Sequence, residues 1–188
     1  MTAFTTEKID VEPWFDMELF MGVSQETRLG GDVMDRFMTL WKNWLPHLTV
    51  KGIDTGKIKY LLVALDESVE QDVDKAWEGS PSNAFLYNAL AQTMCMAAEH
   101  AVIPEVQDAG CAPAPKPTAT LREALEAEGI PYSNDKDPIL SRRYAVVTHY
   151  PFKGGCEICV LQSNCPKGQG QMEATSVVLP GYEHPQQM

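Results

Sequence analysis

The stretch from Ser80 to about Ala101 constrains the fold most, because it reads as one long helix that is apolar around most of its girth. Ser80 can cap its first turn, and Pro81 sits at the first helical position, where the missing N–H is no loss. Leu86, Leu90, Met94, Ala97 and Ala101 make one purely apolar face. A helix of this kind cannot stand on a surface. It must be the central core helix, with other elements packed around it. Its opposite face carries Asn88, Gln92, Cys95 and Glu99 at i, i+4, i+7 and i+11. Two readings of that stripe stand: a solvated face with a small residue in it, or the wall of a cleft beside a functional centre.

Other elements follow from local punctuation. Val33 to Leu45 has Val33, Phe37, Leu40, Trp41 and Trp44 at helical spacing, with Asp32 as N-cap and Pro46 as terminator. Tyr60 to Leu65 is an apolar run of strand length, read as a buried strand. Ser68 to Trp77 is a short helix with Val69, Val73 and Trp77 on one face. Thr120 and Glu123 form a capping box that opens another helix, closed by Gly129. Tyr144 to Tyr150 is a strand, and Ser176 to Leu179 is a short strand candidate. Prolines at 104, 113, 115 and 117 make residues 104–118 an extended, stiff connection, pinned to the surface of one domain. Trp14, Trp41, Trp44 and Trp77 read as core. The expected class is α+β: a mostly helical single domain over residues 1–188, with a small sheet of two or three strands and a cysteine-rich C-terminal metal-binding segment at 151–170.

Charge narrows the partners. The formal net charge is −11, and the basic residues are scattered, with Arg142 and Arg143 the tightest cluster. A phosphate backbone is repelled by such a surface. We expect no measurable binding to a generic duplex or single strand at physiological salt; a salt-sensitive gel shift at micromolar protein is the opposite outcome. No apolar run has membrane-spanning length, and Met1 to Asp16 has no apolar segment of signal-peptide type, so a cytoplasmic location with no membrane partner is expected.

Chemistry concentrates in the cysteines. There are five, an odd count that does not suit a secreted disulfide scaffold. Cys156, Cys159 and Cys165 follow the pattern C-x2-C-x5-C, preceded by Gly154 and Gly155 and followed by Pro166. Two cysteines separated by two residues can turn both sulfurs toward one ion. The glycines allow a sharp turn and leave N–H groups to bond sulfur. Proline directly after the last cysteine resembles ferredoxin-type cluster segments, which implies an iron–sulfur cluster, here of the 4Fe-4S type. A distant cysteine followed by this spacing also resembles the iron-staple arrangement of a class of nucleases, but the chain has no nuclease carboxylate-and-lysine motif and the wrong charge for that substrate.

A closed site needs a fourth ligand. Cys111, in the proline-stiffened loop after Gly110, is the choice; His149, or a position left open for substrate, are the alternatives. Zinc on the same cysteines is the alternative metal, although its usual signature is two cysteine pairs and this chain has one. A metal-free dithiol explains Cys156 and Cys159 but not Cys165. Met94, Met96 and Met172 are packing residues rather than copper ligands, and His47 and His100 belong to helix ends or the surface. Gly168 and Gly170 are too few for a phosphate loop, and no serine–histidine–aspartate arrangement can be located.

The reading that follows is an iron–sulfur protein held together by Cys111, Cys156, Cys159 and Cys165. It would carry electrons to a redox partner protein, or act as a small subunit of a larger redox enzyme in an anaerobic or redox pathway. Two alternatives accompany it: an enzyme using an open cluster or a reactive thiol, with Cys95 and Glu99 near the substrate, and a zinc-stabilised interaction module without catalysis.

Overall fold

A computed structural model describes residues 4–134 and 138–165. Its elements in chain order are β1 (Thr5–Lys8), α1 (Met17–Ser24), α2 (Gly31–Trp44), β2 (Leu48–Asp54), β3 (Lys59–Leu65), α3 (Glu67–Gly79), α4 (Pro81–Val102), α5 (Pro104–Ala109), α6 (Ala119–Ala127) and β4 (Ala145–His149). The α+β class holds, with four strands among the described residues rather than two or three. The strand candidate at 176–179 lies outside the described residues.

The sheet is antiparallel throughout, in the order β1-β2-β3-β4. β3 lies inside it, and all of its residues from Tyr60 to Leu65 are buried. Alternation then divides the core in two. Leu61, Val63 and Leu65 join Val50 and the apolar residues of α1 to α5 on one face. Tyr60, Leu62 and Ala64 join Ile53, Val147 and Leu121, Ala124 and Leu125 of α6 on the other. A strand covered on both faces has no polar side, which is why it reads as an unbroken apolar run.

The proline-rich region differs from the expected extended connection over its first third. Pro104 begins α5, which Gly110 ends at φ +68°. Proline is tolerated at the first helical position, and glycine adopts the left-handed closure without strain. The extended part lies beyond Gly110 and is pinned to the sheet: Thr148 Oγ1 donates to the Pro113 carbonyl at 3.0 Å. Three further starts shift for local reasons. α2 begins at Gly31, with Gly30 rather than Asp32 in the N-cap position. α3 is capped by Asp66, whose Oδ1 accepts the Ser68 N–H at 2.9 Å. α6 is capped by Thr118, whose Oγ1 accepts the Leu121 N–H at 3.3 Å, so Thr120 lies within the helix. Thr118→Ala is expected to cost about 1 kcal/mol in urea denaturation, the usual worth of a capping hydroxyl. Thr120→Ala should cost less.

Two of the tryptophans are not core. Trp41 and Trp44 are buried, and their indole N–H groups donate to the Pro13 carbonyl at 3.2 Å and Asp72 Oδ2 at 3.0 Å. Trp14 is 71% exposed and Trp77 49%. Trp14 precedes α1 and Trp77 ends α3, so neither lies in the middle of a packed face. No described helix is long and apolar enough to cross a membrane.

Candidate metal centre and the adjoining cavity

After β4 the chain enters the cysteine segment through Gly154, at φ +128°. That backbone conformation favours glycine, and a side chain there would displace the Glu157 carboxylate. Cys156–Ile158 and Gln162–Asn164 are single 3-10 turns, each closed by a cysteine N–H: Cys159 N to Cys156 O at 3.2 Å and Cys165 N to Gln162 O at 3.3 Å. The Gly155 N–H, expected to serve sulfur, instead donates to Glu157 Oε1 at 3.0 Å. All three cysteines are half-buried, and none of the chain's five forms a disulfide.

The segment is seated on the loop that carries Cys111. Val160 N–H donates to the Ala114 carbonyl at 3.0 Å, one residue from Cys159 and three from Cys111. Leu161 and Ala112 line a common groove beside this contact. The donor set suits a soft metal centre: four unbridged thiols from two neighbouring backbone segments. As placed, the sulfurs are not gathered: among the described residues no three histidine, cysteine or acidic side chains stand close enough to hold one ion. Holding one centre between Cys156, Cys159 and Cys165 therefore requires their sulfurs to come closer together than they stand here. His149 sits on the other face of the sheet from Thr148 and the Cys111 loop. Its ring lies 5.5 Å from that of Tyr60, and its buried Nδ1 has no hydrogen-bond partner. Burial holds the His149 pKa below the usual histidine value, and the Lys153 charge adds to this.

Cys111 also lines a second feature, a cavity of about 550 Å³ between α1, α4, α5 and the start of β4. Gln92, Cys95, Met96, Glu99 and His100 of α4 form one wall of it. Three residues of the polar stripe, Gln92, Cys95 and Glu99, thus line a cleft, whereas half-buried Asn88 does not, and Gln92 stays exposed. Cys95 and Glu99 are buried, not solvated. The apolar face is less uniform than its sequence suggests, since Ala101 is exposed and Leu86 and Ala97 are half-buried.

The two buried groups differ in chemistry. Burial pushes the Cys95 thiol up to about 12, and its Sγ lies 3.6 Å from the Tyr144 carbonyl as a donor. It is a protonated, hydrogen-bonded thiol at neutral pH, with little thiolate to act as a nucleophile. Glu99 is 3% exposed, and its Oε1 has no hydrogen-bond partner. Burial raises its pKa to about 7. His100, at the same cavity, is held below the usual histidine value by burial, against the opposing charge of Asp16.

One constellation went unseen in the sequence. His47, Asp66 and Ser68 meet at the N-terminus of α3, with His47 Nδ1 at 2.6 Å from Asp66 Oδ2 and 3.2 Å from Ser68 Oγ. Both partners address the same ring nitrogen, so the second nitrogen is not placed to relay a proton to the serine. Partial burial works against ionisation of Asp66, but hydrogen bonds from Ser68 and His47 prevail and hold its pKa below the usual carboxylate value. The trio caps a helix and does not assemble a nucleophile.

What the fold and the site define is an α+β chain with a cysteine segment docked on a proline-rich loop, and a buried carboxyl in a cavity behind that loop. No family model, curated protein or solved structure matches it.

Proposed function

We propose that this chain is an iron–sulfur protein that carries electrons, as a separate carrier or as the small subunit of a redox enzyme. Cys156, Cys159 and Cys165 would hold the cluster, with Cys111 as fourth ligand. The observation that carries this reading is the hydrogen bond from Val160 N–H to the Ala114 carbonyl, which brings the C-x2-C-x5-C segment against the loop bearing the remaining partly exposed cysteine. Bound there, a cluster supplies one-electron transfer. The chain supplies thiols that ionise on binding, and a partly exposed position from which an electron can reach a partner protein.

A second reading, substrate chemistry beside the centre, is favoured by one observation: Cys111 lines the same cavity as Glu99. Purification without oxygen separates the possibilities. The expected protein is brown, absorbs broadly near about 400 nm and contains iron and acid-labile sulfide. A colourless protein with one equivalent of zinc leaves a structural zinc site instead, and one with no metal leaves a redox dithiol. A change in the cluster spectrum on adding a small molecule would favour the second reading over simple electron transfer.

A further inference from the structure

The cavity beside α4 contains a carboxyl group that the protein leaves without a full set of partners. Glu99 is almost wholly buried, lines the cavity, and its Oε1 accepts no hydrogen bond. A buried carboxylate in that state is costly, and a cation placed beside it would relieve the cost. Among the described residues the two basic side chains at the cavity do not supply one: burial holds the His100 pKa below the usual histidine value, which favours its neutral form. Arg143, the guanidinium at this cavity, is already committed to Asp74, with Nη1 to Oδ1 at 2.7 Å and Nη2 to Oδ2 at 3.2 Å. The other ionisable carboxyls at the cavity, Asp16 and Glu18, add negative potential at its α1 side. Asp16 spends Oδ1 on capping α1, where it accepts the N–H groups of Glu18 and Leu19. The remaining walls include apolar side chains from Leu19, Met96, Val106 and Val146.

We infer that this cavity is a binding site for a small organic ammonium ion, its charged nitrogen on Glu99 and its apolar body against Leu19, Met96 and Val106. Each competing ligand class meets a specific obstacle. An organic anion would enter a space bordered by three carboxyl groups, Asp16, Glu18 and Glu99. A bare metal ion would not find three ligating side chains together among the described residues. A neutral ligand would leave Glu99 uncompensated wherever the pH is high enough to ionise it. The volume, about 550 Å³, lies within the range of small-molecule sites and admits an aryl ring with a short amine-bearing chain. The inference does not rest on the cluster. It holds or fails whatever metal the cysteines take.

Isothermal titration of the full chain tests it with three probes of matched chain length: phenethylammonium, 2-phenylethanol and phenylacetate. Phenethylammonium is expected to saturate a single site. The alcohol should bind at least about tenfold more weakly, and the carboxylate should show no saturable binding, because the ion pair with Glu99 falls to a hydrogen bond from a neutral donor in the first case and becomes charge repulsion in the second. Glu99→Gln, of the same shape and uncharged, should weaken phenethylammonium binding at least about tenfold. The probe series on the unmodified chain decides the matter even if that variant does not fold. Absence of saturable ammonium binding, or equal affinity for the alcohol or the carboxylate, overturns the inference. So does undiminished ammonium binding by a folded Glu99→Gln chain, which would assign the attraction to the acidic surface as a whole.

Discussion

Serine in place of Cys156, Cys159 or Cys165 is expected to leave the anaerobically purified protein colourless and without labile sulfide. Each replacement removes one of three sulfurs that enter from a single short segment, and a serine hydroxyl does not ionise near neutral pH to take its place. Cys111→Ser should act differently. A ligand from a separate loop holds one corner, so its loss weakens the cluster or converts it to a three-iron form, with colour reduced rather than abolished. Cys95→Ser is the internal control. Its thiol is pushed up to about 12 and donates to the Tyr144 carbonyl, away from the cysteine segment, so colour should survive. Loss of colour in Cys95→Ser with retention in Cys111→Ser would reassign the fourth ligand. The triad variants should also loosen the segment locally. It consists of two 3-10 turns tied to the Cys111 loop by the Val160–Ala114 hydrogen bond, and a metal would supply cross-links that this backbone lacks. Proteolysis after residue 151 should therefore accelerate on iron removal.

The parts of this fold that could be read from sequence are those whose signals are local. α4 announced itself through Ser80, Pro81 and its apolar girth, and Ser80 Oγ does accept the Asn83 N–H. β3 was legible because both of its faces are buried. β1 was not: Thr5, Thr6, Glu7 and Lys8 are all exposed and gain order only by pairing with β2. β2 hid behind Lys51 and Gly52, which interrupt its apolar alternation. Lys51 is there because it pairs with Glu128, 77 positions along the chain, and no local pattern encodes such a partner. α1 is only eight residues long, and its one clear signal, Asp16 as N-cap, reads from sequence as part of an acidic N-terminus.

The site was legible in the same uneven way. Cysteine spacing is a property of adjacent residues and could be read directly. Whether Cys111 lies beside it depends on where the proline-rich loop docks, and that is fixed by Thr148 and Val160, both distant in sequence. The stripe on α4 posed the sharper ambiguity. Gln92, Cys95 and Glu99 are compatible with water or with a cleft, and the arrival of α1, α5 and Tyr144 over them decides for the cleft. The carboxyl of Glu99 is thus buried by elements that flank α4 on both sides in the chain, and its consequences could not be anticipated from its own helix.

Those consequences should appear in the pH dependence of stability, against the opposite trend from His100 and His149, whose pKa values burial lowers. In the unfolded chain Glu99 titrates near 4.5, whereas in the folded chain burial holds its proton up to about 7. A carboxyl with a raised folded pKa contributes stability that is fully present below the unfolded value and is lost as pH rises through the folded one. The contribution therefore falls between about pH 4.5 and pH 7, by an amount on the order of 3 kcal/mol for a gap of this size. Glu99→Gln keeps the shape and removes the titration. Relative to the unmodified protein it should gain about 3 kcal/mol between pH 4.5 and pH 8 in urea denaturation. At pH 8 it should be the more stable of the two, because it no longer buries a carboxylate whose Oε1 has no partner. Stability curves that stay parallel across this range would mean that Glu99 is ionised and satisfied at all of these pH values, through its other oxygen or through water in the cavity. A stabilised Glu99→Gln chain that has also lost its affinity for phenethylammonium would give the carboxyl its physical rationale: a charge that costs folding free energy in the empty cavity and recovers it when an ammonium ion occupies the space beside it.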